Sequence, residues 1–289
     1  MQKYAILISY LGTHYCGWQR QKGAQEGKSI HEAIEAAIKR ITQEEKVSLV
    51  GSGRTDAGVH ALGQVGHFTV TRKRWDPEIL ERGLNSLLPR SIRILRVVEV
   101  EAEFHAQRSA IKKQYSYYFQ QGLCELPQFE PISWWIRKRL DVEAMNRAIQ
   151  PLIGEHDFKA LQASGAKPGP TVRTILEAEV SFEPIGFPIG GLAFDPESGF
   201  GFVRVRVLGT GFLKQMVRSI AGTLLQVGEG RREIQCFEEI LATKRRDLVG
   251  PTSPGRGLWL ERVWYPKLEI DFHSRVRLQD SSYGISSQS

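Results

Sequence analysis

Residues 3–9 alternate like a strand, with Tyr4, Ile6 and Ile8 on one face. From Ser29 the period changes. Ile30, Ala33, Ile34, Ala37, Ile38 and Ile41 follow the spacing of an amphipathic helix, and Ser29 with Glu32 supplies a capping box at its start. Strands at 47–50 and near 64–70 flank GSGRTDAGVHALG, which therefore reads as a loop, with His60 in the loop and His67 in the strand. Asp76-Pro77 opens a second helix with proline at its first position. Its stripe of Ile79, Leu80, Gly83, Leu84 and Leu87 ends at Pro89.

Strands are predicted at 92–100 and 111–120, the second with Tyr115, Tyr117 and Phe119 on one face. A helix over 141–153 is capped by Asp141, and a breaker-rich loop follows at 165–170. Further strands are expected at 172–183, 190–194 and 200–208, with a turn at 195–199 joining the last two. The strongest remaining helix is 212–227, FLKQMVRSIAGTLLQV, with Phe212, Met216, Ile220, Leu224 and Val227 able to face a core. A short helix at 233–242 and a strand at 258–264 complete the pattern. Each half mixes strands with one or two helices, which gives an α+β class with a mostly antiparallel sheet and helices on one face. No repeat is visible residue by residue. The final stretch RVRLQDSSYGISSQS is polar and aperiodic and is expected to fray.

Composition narrows the class. A chain of 289 residues with 41% hydrophobic and 25% charged positions belongs with globular proteins, large enough for a core without disulfides. The three cysteines, Cys16, Cys124 and Cys236, are far apart and encode neither a disulfide framework nor a zinc site. No apolar run reaches the ~20 residues of a membrane helix, and the first residues lack a signal-peptide pattern, so the cytoplasm is the expected compartment. Thirty-nine basic residues against 32 acidic ones give a net charge of +7. Basic clusters at 72–74, 112–113, 137–139, 231–232 and 244–246, several beside aromatic residues, suggest a long phosphate-binding surface.

The segment Arg54-Thr55-Asp56-Ala57-Gly58-Val59-His60 sets a carboxylate between a cation and a glycine turn. Such an aspartate can act as nucleophile, general base or metal ligand, or can simply bond the backbone of its own turn. A metal site of Asp56, His60 and His67 has no recognisable ligand spacing. Nucleophile-elbow, P-loop and dinucleotide fingerprints are absent.

GRTDAGVHALGQV resembles the signature loop of the TruA family of tRNA pseudouridine synthases. Four further segments and one strand entry resemble that family in order: YLGTHYCGWQRQ, FHAQRSAIKKQYSYYF, TVRTI, GFLKQMVRSIAGTLLQVG and GPTSPGRGLWLERVWY. Leu11 stands where the family has an acidic residue, and Gln107 where it has arginine. The resemblance implies two ferredoxin-like halves, residues 1–105 and 106–266, with the active-site cleft between them and a polar tail at 267–289. It implies that Asp56 is the catalytic residue, that Tyr115 stacks on the target base, that Arg218 pairs with Asp56, and that Arg54 helps hold the nucleotide out of the stem. The implied substrate is uridine in the anticodon arm of tRNA, roughly positions 38 to 40, bound by a homodimer. Isomerisation to pseudouridine involves no net redox change, so no cofactor is expected, and no metal. The competing class is a non-catalytic RNA-binding module of ferredoxin-like type, with Tyr115 and Tyr117 as stacking platforms.

Overall fold

A computed structural model describes residues 1–19, 29–166, 168–184, 200–268 and 270. Ten strands form one sheet, β1 (Gln2–Tyr10), β2 (Val50–Gly51), β3 (His60–Val70), β4 (Ile92–Val100), β5 (Lys112–Gln121), β6 (Trp134–Ile136), β7 (Gly154–Asp157), β8 (Val172–Pro184), β9 (Gly201–Gly209) and β10 (Leu258–Trp264). Five α-helices accompany them, α1 (Ile30–Thr42), α2 (Pro77–Leu87), α3 (Val142–Ile149), α4 (Met216–Gly228) and α5 (Cys236–Thr243). The main strand order is β4-β1-β3-β10-β5-β9-β8-β7, with β2 on β3 and β6 on β5.

That order contains the same pattern twice. β1, α1, β2, β3, α2 and β4 make a βαββαβ unit with sheet order β4-β1-β3-β2, and β5, α3, β8, β9, α4 and β10 repeat it as β10-β5-β9-β8. These are the expected ferredoxin-like halves, and the duplication is one of topology alone. The halves join where β10 runs parallel to β3, through Trp259 opposite His60 and Leu260 opposite Ala61. The other main-path pairings are antiparallel.

Helix ends follow their local chemistry. The Glu32 amide donates to Ser29 Oγ at 3.2 Å and the Ser29 amide to Glu32 Oε2 at 3.3 Å, so the capping box forms as read. Asp76 caps α2 ahead of Pro77, and Asp141 Oδ1 accepts from the Ala144 amide at 2.8 Å. α3 stops at Ile149, short of the expected 153, because Pro151 tightens the chain into a 3₁₀ turn.

Other boundaries move for physical reasons. α4 begins at Met216 rather than 212, since Gln215 takes a left-handed φ of 61° and Phe212 and Leu213 pack from a turn. The expected strand at 47–50 reduces to Val50–Gly51, and the helix at 233–242 forms over Cys236–Thr243. β3 begins at His60 instead of 64, so His60 belongs to a strand. Gly63 looks like a loop residue in sequence, yet it lies where the Glu261 carbonyl approaches so closely that a Cβ would overlap it. The strand at 190–194, the turn at 195–199 and nearly all of the tail fall outside the described residues.

The core runs through both halves. Tyr4, Ile6, Ile8, Ile34, Phe68 and Leu84 fill one end, and Phe119, Met145, Val205, Ile220 and Phe237 the other. α1 packs beside α2 and α3 beside α4, with α2 on β4, α3 on β8 and α4 on β5. Gly222 lets α4 touch the loop before β10, because a Cβ there would overlap the Pro251 carbonyl oxygen. Gly222→Ala is expected to destabilise the protein by about 1–3 kcal/mol through overpacking, read as a melting temperature lower by several degrees. An unchanged melting temperature would show that helix and loop separate easily.

Candidate active site

Asp56 lies in the loop from β2 to β3, and that loop is held by side chains from below. Ser52 Oγ donates to Gln64 Oε1 at 2.5 Å, and Gln64 Nε2 donates to the Gly53 carbonyl at 2.9 Å. The buried Tyr10 hydroxyl shares a hydrogen bond with Thr55 Oγ1 at 2.8 Å, and the Trp18 amide donates to the Thr55 carbonyl at 3.0 Å. The turn itself closes through the Val59 amide on the Asp56 carbonyl at 3.2 Å, with Gly58 at φ 75°. The backbone therefore closes the turn without the Asp56 side chain. Its Oδ2 instead accepts from Arg218 Nη1 at 3.0 Å, across 162 residues of sequence.

Arg218 stands in the first turn of α4, a poor place for a cation because it opposes the helix dipole. Asp56 offsets that mismatch. The guanidinium does not form a two-pronged pair with the carboxylate, as a bidentate reading would have it. It divides its donors, with Nη1 on Asp56 and Nε on the Ser253 carbonyl at 2.7 Å. The Ser253 amide donates back to the Arg218 carbonyl at 3.2 Å, so helix and loop hold the side chain from both ends. Asp56 keeps a quarter of its side-chain surface open, and Arg218 14%.

Tyr115 enters from β5, nearly buried, with its ring edge-on to Phe212 at 5.1 Å between centroids. Burial first, and then Tyr10 and the charge on Asp56, push its hydroxyl well above the ordinary phenol range. Tyr115 therefore stays a neutral phenol and feels the Asp56 carboxylate. Arg54 is exposed and forms no ion pair with a described residue. The fold thus brings Asp56, Arg218 and Tyr115 together, with Arg54 two residues from Asp56 on the open side.

The two histidines weighed as metal ligands have another role, which their spacing does not reveal. His60 accepts from the Gly12 amide through Nδ1 at 3.0 Å and meets the Arg256 carbonyl through Nε2 at 3.0 Å, while its ring stacks on Trp259 at 4.5 Å. Those bonds require the neutral ring protonated on Nε2, and burial lowers its pKa to about 4. His67 accepts from the Ala106 amide at 3.1 Å, and burial, then the nearby His105, Lys3 and Arg108, lower it to about 4. Both rings serve backbone groups, which removes them from the metal set considered with Asp56. Among the described residues no group of three or more His, Cys, Asp or Glu side chains is arranged for a metal ion.

These histidines carry a pH consequence. Their unfolded pKa lies near 6.5 and their folded pKa near 4, so below 6.5 the unfolded chain binds protons that the native one refuses. Their contribution is full above pH 6.5 and is lost as the pH falls towards 4. A denaturation midpoint that drops between pH 7 and 5, and drops less in His60→Gln, is the expected result. A midpoint flat over that interval would contradict it.

The basic clusters divide. Arg74 pairs with Glu99, Lys244 with Asp157 at 2.8 Å, and Arg245 with Asp247. Arg137, Lys138 and Arg139 are exposed, with no ion pair to a described residue. Lys112 and Lys113 do not form one phosphate-binding pair. Lys112 lies over the Trp264 ring at 5.0 Å, whereas Lys113, half-buried, reaches the Ser52 carbonyl at the start of the Asp56 loop. Two cavities of about 390 and 440 Å³ border the exit of β10, and neither is lined by Asp56, Tyr115 or Arg218. No helix among the described residues is long and apolar enough to cross a membrane.

The sequence profile of the tRNA pseudouridine synthase family matches residues 6–107 and 148–266, which include Asp56 and Arg218. The chain belongs to that family. A tRNA pseudouridine synthase A 1 of Desulfotalea psychrophila is 39% identical over 272 residues, covering 92% of this chain and all of the relative. A tRNA pseudouridine synthase A of Roseiflexus castenholzii is 39% identical over 269 residues, covering 92% of each chain. One of Thermoanaerobacter sp. strain X514 is 37% identical over 265 residues, covering 92% of this chain and all of the relative. Among solved structures, a chain of a Cbf5-Nop10-Gar1 complex aligns with TM-score 0.32 at 14% identity, covering 92% of this chain and 52% of that one, too distant to carry an argument. The synthase is an isomerase of uridine in tRNA, which decides against a non-catalytic RNA-binding module.

Proposed function

We propose that the synthase converts uridines of the tRNA anticodon arm, just 3′ of the anticodon, with Asp56 as the reacting carboxylate, Arg218 as its partner, Tyr115 as the surface on which the flipped base stacks, and Arg54 holding the nucleotide out of the stem. The carrying observation is the Asp56–Arg218 pair, which anchors one carboxylate oxygen and leaves a quarter of the side-chain surface open. Pseudouridine formation breaks the N1–C1′ bond, turns the base, joins C5 to C1′, releases the C5 proton and protonates N1. Attack at C1′, addition to C6, or removal of the 2′ proton would each use a carboxylate held as Asp56 is.

A uridine in a stem must leave its stack, at a cost of a few kcal/mol. Stacking on Tyr115 would return about 1–3 kcal/mol, and phosphate contacts by exposed arginines and lysines the rest. This reading also places the enzyme in the cytoplasm as a homodimer in which one tRNA touches both subunits. The test is to incubate the purified protein with uridine-labelled tRNA, digest it and map pseudouridine by position. Product confined to another arm would overturn the anticodon assignment, and a monomer at working concentration the shared binding of tRNA.

Tyr115→Phe keeps the ring and removes a hydroxyl too weakly acidic to shuttle a proton near neutral pH. It should keep single-turnover isomerisation within about tenfold of wild type, while Tyr115→Leu should lose about tenfold more. Equal inactivity of the two variants would show that the hydroxyl does chemistry.

A further inference from the structure

Lys113 has an environment unlike any other basic side chain described above. It is half-buried, its Nζ donates to the Ser52 carbonyl at 2.6 Å, and no carboxylate among the described residues pairs with it. A Cβ on Gly53 would lie 3.2 Å from the same Nζ, so the ammonium sits directly under the start of the Asp56 loop. Burying a cation without a counter-ion is unfavourable, and a neutral donor could satisfy one carbonyl at less cost.

The direction of the contact explains what the cation does. Tyr10 on β1 and Gln64 on β3 hold the loop to the first half of the sheet. Lys113 holds it to β5 in the second half, on the same strand face as Tyr115 and two residues before it. One side chain therefore ties the loop that presents Asp56 to the strand that presents Tyr115. The bond is charge-assisted, hence stiffer than a neutral one.

We propose that Lys113 is a positioning residue of the isomerisation, its ammonium clamping the Ser52 carbonyl so that Asp56 is held in register with Tyr115. This rests on the reading of Asp56 as the reacting carboxylate. Burial lowers the Lys113 pKa to about 8, so the clamp weakens within an accessible pH range. Burial raises Tyr10, Tyr115 and Tyr265 above it, and His67 is held near 4.

The test compares single-turnover isomerisation of tRNA at saturating enzyme for the wild type, Lys113→Met, Lys113→Gln, Lys113→Arg and Asp56→Ala, with tRNA affinity and melting temperature for each. Lys113→Met should lower the rate by about tenfold or more, with tRNA affinity within about twofold. Lys113→Gln, which keeps a donor, substitutes in the kinetics should the Met variant melt. The wild-type rate should decline between pH 7.5 and 8.5, and Lys113→Arg, which keeps its charge, should restore most of the rate and lack that decline. A wild-type rate in both neutral variants beside an inactive Asp56→Ala overturns the positioning role alone. A loss confined to tRNA affinity overturns it in favour of phosphate contact. An active Asp56→Ala overturns the reading of the site on which the proposal stands.

Discussion

Asp56→Asn is expected to lower single-turnover pseudouridine formation by at least ~10³-fold while leaving tRNA affinity within a few-fold of wild type, because phosphate contacts dominate binding and the carboxylate serves the chemistry. The substitution is nearly isosteric, and the turn is closed by the Asp56 carbonyl and Gly58, so the loop has no reason to rearrange. The neutral amide can still accept from Arg218 but cannot attack or take a proton. The measurement is nucleoside analysis after one turnover, paired with a binding isotherm on the same preparation. Substantial residual isomerisation would remove Asp56 from its role, whereas loss of tRNA affinity would make it a binding residue.

Arg218→Lys is expected to cost about 10²-fold in the same assay, or roughly 2.7 kcal/mol of transition-state stabilisation, despite conserving the charge. The guanidinium reaches two acceptors in different directions, Asp56 Oδ2 and the buried Ser253 carbonyl. One ammonium cannot hold that geometry. A lysine that follows Asp56 abandons the carbonyl, and one that follows the carbonyl leaves the carboxylate unoriented. Wild-type turnover in this variant would mean that the pair does not orient Asp56, and the assignment of α4 to the active site would be withdrawn.

What could be read in advance depended on whether the signal was local. Ser29 with Glu32, Asp76 with Pro77 and Asp141 marked their helices correctly because a cap needs only three or four neighbouring residues. Asp56 and Arg218 were singled out through resemblance, and their contact arises from topology that periodicity cannot show. The sequence offers His60 only as a metal ligand and Lys113 only as a phosphate contact, and gives Tyr10 no part in the site, because their partners are backbone groups on other elements, Gly12, Arg256 and Ser52, or in the case of Tyr10 a threonine hydroxyl. Gly63 of β3 misleads for the opposite reason. It looks like a loop residue in isolation and reads as a strand residue only with Glu261 alongside.

β10 is the last of the described strands in chain order and yet lies in the middle of the sheet, between β3 and β5. A growing polypeptide that has not reached residue 258 therefore carries two unpaired ladders, one on each half, of the kind that recruits other strands into aggregates. Synthesis from the amino terminus leaves those edges open until the final segment inserts and seals both at once. Interruption of translation before that point should yield insoluble fragments rather than half-active ones, and a separately supplied β10 peptide would have two templates waiting for it.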